Sequence, residues 1–285
     1  MNGQQNASVI QPQLIATDVD GTLVETQGNP MSAFTLRTLQ SVLDRGFELT
    51  LVTGLNPWVT RRYVKAIGDG VRAVCLNGIF TLEGEELRPG RFVDESVARR
   101  AVAVTLEERQ IPLVYGEDGI TRYVIPEGGD RAEFDDLVAA REGFQPFEAA
   151  DNASDLFSVR PAQVSVCDHP ARTESLYHRL REAVGDEAYV VHQPNVRSWV
   201  EVNHPEGRKD VGLFAMADRL DVPRERILYF GDSLNDLPVF RQLPYAVAMA
   251  NALPAVKALA WRTAPPAGAD GVARFLRELL GLDAS

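Results

Sequence analysis

The sequence predicts an α/β protein: a parallel sheet covered by helices, built from the two ends of the chain, with a mixed α+β unit inserted between them. Three observations predict it. Short apolar runs that read as buried strands alternate with amphipathic helical stretches between Leu14 and Gly78. The same alternation returns from Arg208 to Leu280. The stretch between them is richer in strand-like segments and lacks the regular alternation.

Taken in order, Leu14–Val19 is an apolar run that ends in polar residues. Met31–Arg45 carries Phe34, Leu36, Leu39, Val42 and Leu43 at helical spacing, and Gly46 closes it. Phe47–Gly54 reads as a buried strand, Pro57 opens a helix that runs to Gly68, and Val71–Gly78 is a third strand. Short connections between such elements are the pattern of a parallel sheet. Toward the other end, Arg208–Leu220 is a helix, Ile227–Asp232 a strand, Asp236–Gln242 a short helix and Tyr245–Ala250 a strand, followed by helices over Pro254–Ala260 and Ala269–Leu280. In the middle, PLVYGED, TRYVIPE, AQVSVCD, AYVVHQ and RSWVEVN read as strands among helices Asp94–Gln110, Arg131–Arg141 and Arg172–Val184. Glu83–Glu86 reads as a hairpin turn and Glu142–Ser154 as the loosest segment. The expected organisation is a polar tail over residues 1–12, an α/β domain over 13–81 and 203–285, and an inserted α+β unit over 82–202.

A chain of 285 residues and 31.4 kDa suits about two domains. Its 29 basic and 40 acidic residues leave a net charge of −11, which argues against nucleic acid as a partner, because duplex binding needs clustered cations. A small phosphorylated ligand needs only a few local positive groups. Cys75 and Cys167 lie far apart and form no metal-ligand spacing, so a reducing cytoplasm is expected. No apolar run approaches the ~20 residues a membrane helix needs. The start, MNGQQNASVIQPQ, has neither the positive nor the apolar region of a signal peptide.

Four motifs carry chemistry. Asp18-Val19-Asp20-Gly21-Thr22-Leu23 follows the first strand, and carboxyl ends of strands are where open parallel sheets build sites. Gly21 permits a sharp turn that returns the second carboxylate toward the first. Gly231-Asp232-Ser233-Leu234-Asn235-Asp236 follows another apolar strand. Carboxylates from two strand ends make a hard oxygen site of the kind Mg²⁺ takes. Val52-Thr53-Gly54 offers a hydroxyl and backbone N–H groups to a phosphate, and Lys209 stands near a helix start, where ammonium and helix terminus both favour an anion.

In order, spacing and strand-end placement these four pieces resemble the haloacid dehalogenase-like superfamily of aspartyl-phosphate phosphatases. The place of the insertion, CLNGI at Cys75–Ile79, VEVNHPEGRKDVGL around Lys209 and VAMANA at Val247–Ala252 resemble its Cof-type branch, which carries a type IIB cap. The resemblance implies a Rossmann-like core with an α+β cap. It implies Asp18 as nucleophile, and Asp20 as general acid and then base, which needs a raised pKa. It implies Mg²⁺ held by Asp18, the backbone carbonyl of Asp20 and Asp232, with Asp236 beside it. Lys209 is implied to neutralise Asp18 and the phosphoryl oxygens, with Thr53, Gly54 and Asn235 completing the cradle. The cap is implied to supply specificity, with Asn77 at the hinge and His192, Asn195, Arg197 and Trp199 as candidate contacts. The implied substrates are small phosphomonoesters, sugar phosphates foremost.

Two positions depart from the branch: Leu55 stands where arginine commonly follows Thr-Gly, and Asp210 where a small residue commonly follows the lysine. Arg61 and Arg62, one to two turns along the next helix, are the candidates to compensate for the first, and the sequence leaves open whether either does. His169, His178, His192 and His204 do not cluster at metal spacings, and Trp58, Trp199 and Trp261 read as packing residues rather than ligand platforms. A sugar phosphomutase of related fold and a binding protein that has lost turnover remain as rivals, and the sequence leaves monomer and homodimer open.

Overall fold

The computed structural model describes residues 10–26, 29–193 and 198–282. The chain enters the large sheet with β1 (Leu14–Thr17) and continues through α1 (Ala33–Asp44), β2 (Glu48–Val52), α2 (Pro57–Ile67) and β3 (Val71–Cys75). Ser32 and Asn56 cap the two helices, each accepting a backbone N–H three residues on. A hairpin, β4 (Phe80–Glu83) and β5 (Glu86–Pro89), follows a tight turn at Leu76–Gly78.

The chain then builds a second sheet: α3 (Glu95–Glu107), β6 (Leu113–Gly116), β7 (Thr121–Tyr123), α4 (Ala132–Arg141), β8 (Phe147–Ala149), β9 (Pro161–Asp168), α5 (Pro170–Val184), β10 (Tyr189–Gln193) and β11 (Ser198–Asn203). It returns to the first sheet with α6 (Lys209–Arg219), β12 (Ile227–Gly231), α7 (Leu237–Phe240), β13 (Ala246–Met249), α8 (Pro254–Lys257), β14 (Arg262–Ala264) and α9 (Gly271–Leu280).

The large sheet has strand order β14-β13-β12-β1-β2-β3-β4-β5, parallel from β14 to β3 and antiparallel beyond. This is an α/β core of Rossmann type. The chain leaves β1 toward β2 on one side and comes back to it as β12 on the other. The place between β1 and β12 is therefore the topological switch point, where ligands bind beyond the strand ends. The register sets which residues meet there: Thr17 lies opposite Phe230 on one side and Leu51 on the other. The residues just past those ends are Asp18, Asp232 and Thr53.

The second sheet has order β10-β11-β9-β6-β7-β8. Its period-2 alternation divides it into two faces. Val164, Val166, Val200 and Val202 pack with residues of α3 and α5 in one apolar cluster. Gln163, Ser165, Trp199 and Glu201 face the other way, into a cavity shared with the large sheet.

The large sheet runs past residue 82, where the sequence placed the start of the insertion, to Pro89. The β4–β5 hairpin pairs antiparallel with β3 and has no helix of its own, so its composition resembles that of the inserted unit. Two short strands escape the sequence pattern. β8 lies within the segment read as loosest, and β14 has only three residues.

Helix α6 lies directly on the turn after β3. A Cβ at Gly212 would fall 2.5 Å from Val74 Cγ1 and 2.8 Å from Gly78 Cα. Gly212→Ala is expected to lower stability by about 1–3 kcal/mol through overpacking, measured by urea unfolding.

Candidate active site

Asp18 is the first residue past β1, and its N–H still donates to the Phe230 carbonyl across the switch point at 2.9 Å. The chain then turns on itself: the N–H groups of Leu23 and Val24 both return to the Val19 carbonyl. Gly21 has φ +74°, and a Cβ there would overlap the Asp232 carboxylate. Conformation and space both demand glycine. Thr22 Oγ1 donates to Asp232 Oδ1 at 3.2 Å, tying the first motif to the last.

Lys209 opens α6 and is 1% exposed. Its Nζ lies 2.8 Å from Asp18 Oδ1 and 2.7 Å from Asp236 Oδ1. Burial alone would lower its pKa, but the carboxylates of Asp18 and Asp236 outweigh burial, so the ammonium is held charged. Asp236 is saturated. Its Oδ1 accepts from Lys209 Nζ and, at 2.6 Å, from Tyr229 O–H, while its Oδ2 accepts the N–H groups of Asp232 and Ser233 at 2.9 Å each. A carboxylate has about four acceptor positions. All of those on Asp236 are used to hold the lysine and the loop after β12.

Asp18, Asp232 and Asp236 each present a carboxylate oxygen within 4.8 Å of the others. Burial, then neighbouring carboxylates, push Asp232 up to about 7. Burial also drives Asp18 well above the ordinary range against the pull of Lys209. Three carboxylates share one ammonium, and the excess negative charge in an all-oxygen site is what a hard divalent cation relieves. Asp18 and Asp232 fit such an ion, whereas Asp236, with its acceptors filled, fits the role of holding Lys209. The Asp20 side chain stands outside this cluster. Its Oδ1 is buried with no hydrogen-bond partner among the described residues, and burial raises its pKa to about 6.

A cavity of about 940 Å³ opens between the two sheets, with Asp18, Asp20, Thr53, Gly54, Asp232 and Asn235 on its floor. Thr53 Oγ1 accepts from the Leu55 N–H at 3.1 Å, shaping the turn after β2. Asn77, at φ +55°, links the sheets: it accepts from Asn235 Nδ2 at 3.1 Å and donates to Glu201 Oε2 at 2.6 Å.

Other expectations resolve by strand parity and packing. Trp199 lines the cavity. His192 pairs with Val200 and so faces away, near Thr173 and Ser198 and stacked on Tyr177. Asn195 and Arg197 lie outside the described residues. Neither Arg61 nor Arg62 lines the cavity. Arg61 donates to the Glu85 carbonyl and Arg62 stacks on Phe144. Asp210 is buried and accepts from Arg208 and Gln242.

The sequence reading passed over Glu201, Arg141, Gln145, Gln163 and Gln193, all of which line the cavity. One signal was present: in β11 Glu201 stands two residues after Trp199, on the same face.

Comparison with known proteins agrees with this geometry. The family model of haloacid dehalogenase-like hydrolases matches residues 15–276. The chain belongs to that family. This haloacid dehalogenase-like hydrolase is similar to the 5-amino-6-(5-phospho-D-ribitylamino)uracil phosphatase YitU of Bacillus subtilis, at 28% identity over 95% of this chain and 98% of that one. It is also similar to the HMP-PP phosphatase of Enterobacter, at 27% identity over 85% of each. In fold it is similar to the HAD subclass IIB sugar phosphatase BT4131, with TM-score 0.77 and 18% identity over 95% of this chain and 100% of that one. The inserted unit thus corresponds to a cap, and the hydrolase is a phosphatase. Among the described residues no helix is long and apolar enough to cross a membrane.

Two outcomes follow. Asp236→Asn places an amide donor among groups that all donate, so a stability loss of about 3–5 kcal/mol is expected in urea unfolding, as for a broken buried ion pair. Burial lifts Glu201 to about 7, against hydrogen bonds from Asn77 and Gln193. Its folded pKa exceeds its unfolded value, so its contribution is full below the unfolded pKa of about 4.5 and is lost as pH rises through about 7. Glu201→Gln is therefore expected to flatten the fall in unfolding free energy between pH 5 and pH 8, measured by urea titration at each pH.

Proposed function

We propose that the chain is a Mg²⁺-dependent phosphomonoester hydrolase working through an aspartyl phosphate on small phosphorylated metabolites, sugar phosphates foremost. The observation that carries this reading is the meeting of Asp18, Lys209 and Asp232 at the switch point, beneath the cavity between the two sheets.

An Asp18 carboxylate oxygen attacks phosphorus and the bond from phosphorus to the leaving oxygen breaks. Asp20 delivers its proton to that oxygen, a role suited to a carboxyl on the cavity lining whose pKa burial raises to about 6. Asp20, now ionised, accepts a proton from water as that water attacks phosphorus, and the Asp18–phosphorus bond breaks to free phosphate. Lys209 offsets charge on Asp18 throughout. Asp18, Asp232 and the Asp20 backbone carbonyl would hold Mg²⁺, which supplies charge neutralisation to the phosphoryl oxygens. Thr53, the Gly54 N–H and Asn235 line the floor where those oxygens sit.

The amides of Gln163 and Gln193 on the cavity wall suit a hydroxylated chain. The substrate named for the Bacillus relative carries its phosphate on such a chain, a ribityl group. A cavity of about 940 Å³ encloses a small molecule and excludes a folded phosphoprotein or a duplex. The two cysteines are buried thiols, which suits a cytoplasmic enzyme.

The test is phosphate release from 4-nitrophenyl phosphate and from a panel of sugar phosphates. Activity is expected to vanish on chelation and return with Mg²⁺. Asp18→Asn is expected to abolish it, and Asp20→Asn to reduce it by about 10²–10⁴-fold. Equal rates for wild type and Asp18→Asn would overturn the mechanism.

A further inference from the structure

The cavity that must admit a phosphate ester is strongly acidic. Asp18, Asp20 and Asp232 form its floor, Glu201 projects from the cap, and Glu133 and Asp136 stand on α4. Lys209 is turned inward, with its side chain wholly inaccessible and bonded to Asp18 and Asp236. Leu55 presents an apolar side chain. Among the described lining residues Arg141, the last residue of α4, is the one Arg or Lys.

Arg141 is built into place. It is 8% exposed, and its Nη1 donates to Gln145 Oε1 at 2.8 Å. The same Gln145 oxygen accepts from Asn56 Nδ2 of the core at 2.8 Å, and Gln145 Nε2 donates to Thr121 Oγ1 at 3.1 Å. The guanidinium lies over the Trp199 ring, 5.3 Å from its centroid, a cation–π distance. A planar fork held by an amide and an aromatic ring has already lost most of its rotamer freedom, so little more is lost on gripping an oxyanion. Its field also reaches Asp20, beside the leaving oxygen.

Resting on the phosphatase reading above, we infer that Arg141 is the substrate-binding cation of the cap, gripping an oxyanion of the substrate at the Asp20 side of the cavity. The anchor through Gln145 to Asn56 links the position of this cation to contact between cap and core. The oxyanion belongs either to the transferred phosphoryl group or to a second acidic group on the leaving side. The chemistry is the same for both, and the experiment separates them.

Arg141→Lys and Arg141→Ala are compared with wild type and with Arg62→Ala, a cation outside the cavity. The readouts are KM and kcat for 4-nitrophenyl phosphate and for an alkyl diphosphate, inhibition by inorganic phosphate, and thermal melting. A KM for the aryl phosphate and an inhibition constant for inorganic phosphate that both rise roughly 10- to 100-fold, with kcat little changed, place Arg141 on the transferred phosphoryl group. A rise confined to the diphosphate places it on a second anion. Recovery of Arg141→Ala by added guanidinium ion supports either placement, since a merely structural role would not give it. Unchanged KM and inhibition constants overturn the inference, as does a fall in kcat and melting temperature alone. Calorimetric binding of inorganic phosphate with Mg²⁺ separates the two readings. Arg141-dependent binding without turnover sinks the hydrolase and keeps the inference, and no binding by wild type sinks both.

Discussion

A buried ammonium held between two carboxylates is the constraint around which this molecule is organised. Lys209 reaches Asp18 and Asp236 from a wholly buried position, and each partner comes from a different strand end. Removing a charge from water costs several kcal/mol, and the ammonium is held because it is paired on both sides and every acceptor of Asp236 is matched to a donor. Tyr229 and two backbone N–H groups complete Asp236, which in turn fixes the lysine. The glycines follow from the same requirement. Gly231 has no room for a Cβ, which would lie 2.6 Å from Asp236 Cγ, and Gly21 leaves its own space to Asp232.

Much of this was legible in the sequence because it depends on local rules. Strand ends, glycine turns and carboxylates just beyond apolar runs are visible one segment at a time. Asp18, Thr53, Asp232 and Asn235 were placed by those rules, and register alone brings their strands together. What escaped depends on partners. Asp236 reads as standing beside the metal, and only the structure shows that its acceptors hold Lys209, Tyr229 and the loop after β12. The β4–β5 hairpin reads as part of the insertion until its pairing with β3 is seen. His192 and Trp199 were equal candidates, separated only by strand parity, which fixes the face once β10 is aligned with β11.

The inner face of the cap shows the same division. Its outer face is apolar and packs under α3 and α5, while its inner face carries Gln163, Ser165, Trp199 and Glu201. Contacts between cap and core combine apolar and polar ones: the Phe80 and Tyr115 rings meet at 5.9 Å, and Asn77 bonds Glu201, Asn56 bonds Gln145, and Trp58 Nε1–H donates to the Gly119 carbonyl. Polar contacts of this kind exchange with water at small net cost. They suit a surface that must seal over a substrate and release it again.

The position of β1 has a consequence for how the chain is made. One neighbour of β1 is β2, about thirty residues later, and the other is β12, which ends at Gly231. During vectorial synthesis the β12-facing edge of the central strand stays bare until most of the polypeptide has left the ribosome. The cap sheet emerges whole in that interval and is complete before the Rossmann half can close. A nascent chain with an open hydrophobic edge invites off-pathway strand pairing. The long delay between the two halves of the core is the period in which that edge lies open to such pairing.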